Sequence, residues 1–283
     1  MAGAAGSPAA GNSIRGGRVD PTMDGPNPIV AGMSMLAARR LAPPAPTGSG
    51  DVPTERLDEV LAAVADGGVA AIPADPLAAY LKDMAGVDPD RLSPAGALAY
   101  WINLYNAGAL DLAHRTHRAG EASVLRIPGT FRTRFVEVGG EALSLDGIEH
   151  GKVRRFGDPR VHAALVCGSI SCPTLRHEAY RGDELAGQLE SQMRAFLASG
   201  AAVADPDAGR LSLSRIFLWY GADFVRPASM PSLRFVSKRS VSAALRPWLP
   251  QATARGSGEQ RPRVEFQEYD WTLGCEVRRP DPV

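Results

Sequence analysis

Histidine and cysteine recur at equal steps in HAALVCGSISCPTLRH, residues 162–177. His162, Cys167, Cys172 and His177 lie five residues apart in turn. These types could bind a metal, form a redox pair, or supply a nucleophile and its base. A metal ladder fails on geometry. An odd step along a strand turns side chains to opposite faces, and zinc sites favour shorter loops between paired cysteines. A C-x4-C spacing is also not the C-x-x-C of a dithiol redox motif. Neither a metal nor any other cofactor is expected. A nucleophile fits better. Cys167 ends an apolar run and precedes Gly168, which permits a sharp turn. Cys172 precedes Pro173 and is read as lying near a helix N-terminus, where the dipole lowers a thiol pKa. The plain alternative makes Cys167 a small buried hydrophobe and Cys172 a weak cap. Residue types alone favour that alternative.

Two further motifs carry polar groups. In WINLYN, Asn103 and Asn106 are three apart and share one side of a helix. Buried amides must be hydrogen-bonded, so they either tie the helix to a neighbouring backbone or orient a catalytic imidazole. In SLDGIEH, Asp146 and Glu149 have the spacing of a capping box, and His150 follows. The functional reading makes His150 a base whose tautomer is fixed by a carboxylate or amide. His114 and His117 are read as complementing a helix dipole. Arg154 and Arg155 are read as solvated.

The elements that must position these groups follow from periodicity. Leu57, Val60, Leu61 and Val64 fall at helical spacing, with Thr54 as the expected N-cap and Gly67-Gly68 as the stop. DPLAAYLKDM opens with Asp75 as cap and Pro76 inside it. SPAGALAYWINLYNAGALDLAHRTHRAG is long and largely apolar, capped by Ser93 and ended by Gly120, and is expected to be the central buried helix. FVEVGGEALSL and AAVADPDAGRLSLS read as hairpins. RVHAALVCG reads as a central strand, DELAGQLESQMRAFLAS as an amphipathic helix, RIFLWYGADF and SVSAALRPWL as helices, and RVEFQEYDWTL as a last strand. Helices and short hairpins without regular alternation imply an α+β domain with a mixed sheet. The expected organisation is a disordered Gly/Ala/Pro-rich segment at 1–52, a single domain at 53–274 and a tail at 275–283.

Bulk composition narrows the function classes. Thirty-one basic residues balance 31 acidic ones, so charge gives no argument for nucleic acid or an anionic membrane. Three cysteines indicate no disulfide framework, and reduced thiols in a cytosol are expected. No apolar run reaches the ~18 residues of a membrane span. The first forty residues lack the apolar core of a signal peptide. A cytoplasmic location is therefore expected.

Together, YWINLYNAGAL, LSLDGIEHGKVRR, DPRVHAALVCGSISCPTLR and YDWTL resemble the family called domain of unknown function 547, closely from Leu98 to Leu197 and more weakly to Gly274. The family pattern matches at Asn103, Asn106, Glu149, His150, His162, Cys167 and Pro173. Members resembling this chain often carry Ser at the position of Cys172, which argues against that residue as nucleophile or ligand. His177 lies outside the pattern, and Gly147 stands where a second Asp is common. The resemblance implies a fold and a site more than a reaction. Its inventory is that of a covalent thiol hydrolase or acyltransferase acting on an amide or acyl substrate. Cys167 would be the nucleophile and His150 or His162 the base, with His150 preferred because His162 sits an odd step from Cys167. Glu149 or Asn103 would orient that base. Backbone N–H groups of CGSIS would hold the oxyanion. Asn106, Ser169, Ser171 and Trp101 are assigned to binding a small-molecule or peptide substrate. The rival is a non-catalytic peptide- or protein-binding module in which the same cluster is a structural hydrogen-bond network.

Overall fold

The long apolar segment forms the helix around which everything else is arranged. In the computed structural model, which describes residues 46–232, 234–251 and 262–278, this helix, α3, runs Pro94–Arg118. Ser93 caps it by accepting from the Gly96 N–H at 2.9 Å. Gly120, at φ +70°, lets the chain turn away after it. Before it come α1 (Glu55–Gly67) and α2 (Ala74–Ala85). Thr54 makes no capping bond, and α2 starts at Ala74, so Asp75 is inside the helix and is not its cap.

The first hairpin pairs β1 (Val136–Val138) with β2 (Glu141–Leu143), and α4 (Leu145–Gly151) follows directly. The capping box expected from Asp146 and Glu149 is absent: Ser144 caps α4, its hydroxyl accepting from the Gly147 N–H. That frees both carboxylates. After a two-residue strand β3 (Leu175–Arg176) come α5 (Leu185–Phe196) and the second hairpin, β4 (Ala202–Asp205) and β5 (Arg210–Leu213). Two short helices, α6 (Ile216–Trp219) and α7 (Gly221–Val225), precede α8 (Lys238–Leu245). Strand β6 (Arg263–Phe266) lies parallel to β5, which makes a mixed sheet β4-β5-β6. The architecture is α+β, as expected.

The expected central strand does not form. Asp158 and Pro159 start a 3₁₀ turn, Pro159–Ala163, and irregular backbone continues to Cys167. A side chain supplies what a neighbouring strand would have supplied: the Asn106 amide donates to the Ala164 carbonyl at 2.9 Å and accepts from the Val166 N–H at 3.0 Å. No helix starts at Cys172 either. The backbone of 168–171 is held against residues 270–274, with Ile170 N–H on Thr272 O and Gly274 N–H on Gly168 O.

Both ends of the chain depart from the expected boundaries. Residues 1–45 of the segment read as disordered lie outside the described residues. Of the rest, Gly50 bridges Leu92, Val52 is buried, and Asp51 accepts from the Gly182 N–H. In the stretch read as a tail, Cys275 is buried and β7 (Val277–Arg278) pairs with β3.

Apolar side chains gather into two cores. One surrounds α3 and takes in α1, α2 and α4. The other joins the mixed sheet to α6, α7 and α8. Glu149, His150, His162 and Cys167 lie where the two meet. Among the described residues no helix is long and apolar enough to cross a membrane.

Candidate functional site

At the seam, α4, the 162–172 loop, α6–α7 and the segment after β6 surround a narrow cavity of about 60 Å³, enough for a few waters or the end of an unbranched chain. Of the residues singled out from the sequence, Glu149, His150, His162 and Cys167 line it. So do Asp146, Cys172, Tyr105, Tyr220, Tyr269, Trp219 and Trp271.

Each imidazole is held by a partner that fixes its tautomer. Arg154 can only donate, and its guanidinium lies 3.1 Å from His150 Nδ1. His150 Nδ1 is therefore an acceptor, and its proton sits on Nε2. Burial drives the His150 pKa down to about 4, with Arg154 and His162 adding to the effect and Glu149 opposing it. A neutral imidazole whose lone pair is already engaged is a poor base and a good donor. The preference for His150 as base draws no support from that arrangement. His162 is arranged the other way. Its Nε2 lies 2.9 Å from Asp223 Oδ2, so Nε2 carries the proton and Nδ1 is left as the basic nitrogen. The objection that His162 sits an odd step from Cys167 falls with the strand it assumed.

Asp223 is fully buried. Burial alone would raise its pKa. Its bond to His162, the Arg154 guanidinium at 2.7 Å and the Ser232 N–H outweigh that and bring it down to about 2. Arg154, read as solvated, is 1% exposed and is the counter-ion of this carboxylate. Sequence reasoning missed Asp223. Its signal was an acid set inside the apolar GADF stretch.

The two carboxylates of α4 differ. Burial pushes Glu149 upward, but His150, His162, a hydrogen bond from Tyr220 and Arg154 together hold it below the ordinary carboxylate value. The Tyr105 hydroxyl also donates to Glu149, at 3.3 Å. Asp146 has no such company. Burial and the charge of Glu149 raise it to about 7, against a smaller lowering by Arg132.

Cys167 and Cys172 are joined as a disulfide, with Cα atoms 6.3 Å apart. This corrects the expectation of reduced thiols throughout. A pairing across four intervening residues is not a C-x-x-C redox motif, but the loop held by Asn106 and the left-handed Gly168 (φ +81°) bring the sulfurs together. Both cysteines are only half-buried. Around them, the Tyr269 hydroxyl lies 3.2 Å from Cys167 Sγ and 3.1 Å from the Ser169 hydroxyl. Burial raises the Tyr269 phenol well above its usual range, so it stays protonated. The third cysteine, Cys275, is buried, and burial pushes its thiol up to about 12.

Other assigned residues fall outside the cavity. Asn103 does not orient an imidazole, because both ends of its amide close on the Tyr180 backbone, donating at 2.8 Å and accepting at 2.9 Å. Asn106 holds the loop that carries Cys167 and does not line the cavity. The Ser171 hydroxyl accepts from the Asp270 N–H. Trp101 lines a different pocket of about 560 Å³, beneath Lys152 and Arg155. Of the CGSIS N–H groups expected to hold an oxyanion, those of Ile170 and Ser171 are already bonded to the Thr272 and Asp270 carbonyls, and that of Cys167 donates to Cys172 Sγ.

Residues 89–197 match the family model described as Protein of unknown function, DUF547, which bears out the resemblance read from the sequence. The match includes Glu149, His150, His162 and Cys167. It stops short of Tyr220, Asp223, Tyr269 and Trp271, which complete the cavity. No curated protein and no solved structure matches the chain.

Proposed function

We propose, from the premise that residues 89–197 are a DUF547 domain, that the seam cavity is the active site of a cysteine-dependent hydrolase or acyltransferase acting on an amide or acyl substrate. The observation that carries the reading is the Asp223–His162 couple. A buried carboxylate fixes one nitrogen of an imidazole whose other nitrogen is basic, and that imidazole lines the same cavity as a half-buried cysteine. Nucleophile, base and orienter are the parts of the triad logic.

The chemistry needs the cysteines reduced. Dithiothreitol converts the disulfide to two thiols and is itself oxidised to a cyclic disulfide. Reduced Cys167 then gives its proton to His162 Nδ1, and its sulfur adds to the substrate carbonyl carbon. The Tyr269 hydroxyl and the His150 Nε2–H are donors for the oxygen that becomes negative. The C–N bond breaks as His162 returns the proton to the leaving nitrogen. Water adds to the thioester, losing a proton to His162. The C–S bond then breaks, freeing the acid and the thiol. In this reading the protein works in the cytoplasm, where thiols are kept reduced.

The test is iodoacetamide labelling of Cys167 against pH in dithiothreitol, with peptide mapping. The expected result is fast labelling with an apparent pKa below the free value of about 8.5, moved back toward it by His162→Ala and by Asp223→Asn. His150→Ala should leave it nearly unchanged. Labelling only on unfolding, or indifference to His162, overturns the reading. The rival, a non-catalytic binding module, draws support from the disulfide itself, which leaves neither sulfur free to attack. It predicts that reduction exposes no fast-reacting thiol.

A further inference from the structure

The aromatic wall of the cavity is more extensive than acyl transfer needs. Trp219, Tyr269 and Trp271 pack in a continuous group, with ring centroids 4.5 to 5.9 Å apart. Phe131 extends it, 6.2 Å from Trp271. All four line the cavity, and so do the carboxylates of Asp146 and Glu149. Of the cationic side chains that act on these carboxylates, Arg154 is already paired with Asp223 and is 1% exposed, and Arg132 only partly offsets the burial of Asp146. The cavity therefore joins aromatic faces, whose π-density is negative, to two carboxylates, and among the described residues no lysine or arginine lines it. The adjoining groove, about 240 Å³, shares Cys172 and Tyr269 with the cavity and adds Glu268 and Glu276.

We propose that the cavity receives an unbranched alkylammonium group, such as the end of a lysine side chain or a free primary amine, with its methylene chain against Trp219, Tyr269 and Trp271 and its charge between Asp146 and Glu149. The proposal rests on the reading of the cavity as a substrate site, but not on the thiol. Three features favour this occupant. The cavity is narrow, which suits a linear chain better than a branched head. Its charge is negative while the chain as a whole is neutral. And Asp146 is held partly protonated by burial and by Glu149, the condition that an arriving cation relieves.

The same feature gives a pH signature. Asp146 faces Glu149 on its own helix, Arg132 on the preceding loop, and His150, His162, Tyr220 and Tyr269 around the cavity. A cation binds the ionised form of Asp146, so affinity rises with pH through about 7 and binding releases protons.

The experiment is titration calorimetry of the full chain in its disulfide form with n-butylammonium and, separately, 1-butanol. The expected result is butylammonium binding at least about tenfold tighter than the alcohol, in line with a desolvated cation–π contact plus a carboxylate. The preference should strengthen from pH 6 to pH 8. Asp146→Asn should reduce it about fivefold and remove the pH trend, and Trp219→Leu, on a partly exposed residue, should weaken it independently. Equal affinity for the two ligands, or no binding of butylammonium, overturns the proposal. If Cys167 labels fast after reduction but butylammonium does not bind, this inference fails alone. If butylammonium binds but the reduced thiol is inert, the hydrolase reading fails alone.

Discussion

Helix α3 and the seam beside it both bury polar side chains, and they do so in opposite ways. Along α3, eighteen of 25 residues are buried, and three of the polar ones close on backbone: Asn103 on Tyr180, Asn106 on Ala164 and Val166, Thr116 on Leu112. None of these three side chains is left over to react. At the seam, ionisable side chains close on one another. Arg154 joins Asp223 to His150, Asp223 holds His162, and Glu149 takes hydrogen bonds from Tyr105 and Tyr220. Buried backbone partners serve architecture, because an amide carbonyl cannot change charge. Buried titratable partners beside a void can exchange protons with what enters it.

That contrast can be broken or sharpened by substitution. The largest effect is expected for Cys167→Ser. After reduction, activity on any substrate found should fall about 10³-fold or more, with an unchanged circular dichroism spectrum. Residual activity near wild type would return the seam to an architectural role. Next is Arg154→Met, which leaves Asp223 buried without its counter-ion and should cost about 3–5 kcal/mol in urea unfolding. The double variant Arg154→Met/Asp223→Leu should recover most of that loss.

Asp146→Asn probes the raised carboxyl. A folded value of about 7 lies above the unfolded value of about 3.9. The neutral form is therefore favoured by folding, and the stability it brings is complete below the unfolded value and lost as pH rises through about 7. Wild type and variant should be nearly equal at pH 4. The variant should be the more stable by about 2–4 kcal/mol at pH 8. His150 acts in the opposite sense: its folded value of about 4 lies below the unfolded value of about 6.5, so its contribution is lost as pH falls from about 6.5 to about 4. That background is common to both proteins and cancels in their difference. A variant less stable than wild type at pH 8 would show that Asp146 is bound as a charge. The smallest effects belong to α3. Asn103→Ala should lower stability by about 1–3 kcal/mol and leave the reactivity of Cys167 unchanged. Asn106→Ala should lower both, because its loop carries the thiol.

The sequence by itself determined the elements whose signals are local. Ser93 and Gly120 bracket α3 within a turn of its ends. The Gly139-Gly140 pair and the alternation around it specify the first hairpin, and the 3.6-residue rhythm of Leu185, Leu189 and Phe196 specifies α5. It also named six of the residues that line the cavity, because His, Cys, Asp and Glu beside apolar runs are rare enough to stand out. Only the tertiary structure decided how they meet. RVHAALVCG has the apolar content of a strand, yet among the described residues no strand pairs with it, and a side chain from α3 takes up backbone groups of Ala164 and Val166. The tautomers of His150 and His162 are set by Arg154 and Asp223, and Asp223 lies 61 residues from the imidazole that it holds. Tyr269 reaches Cys167 across 102 residues. Periodicity and capping act over a few residues of chain, whereas a proton's position depends on which groups lie within about 3 Å in space.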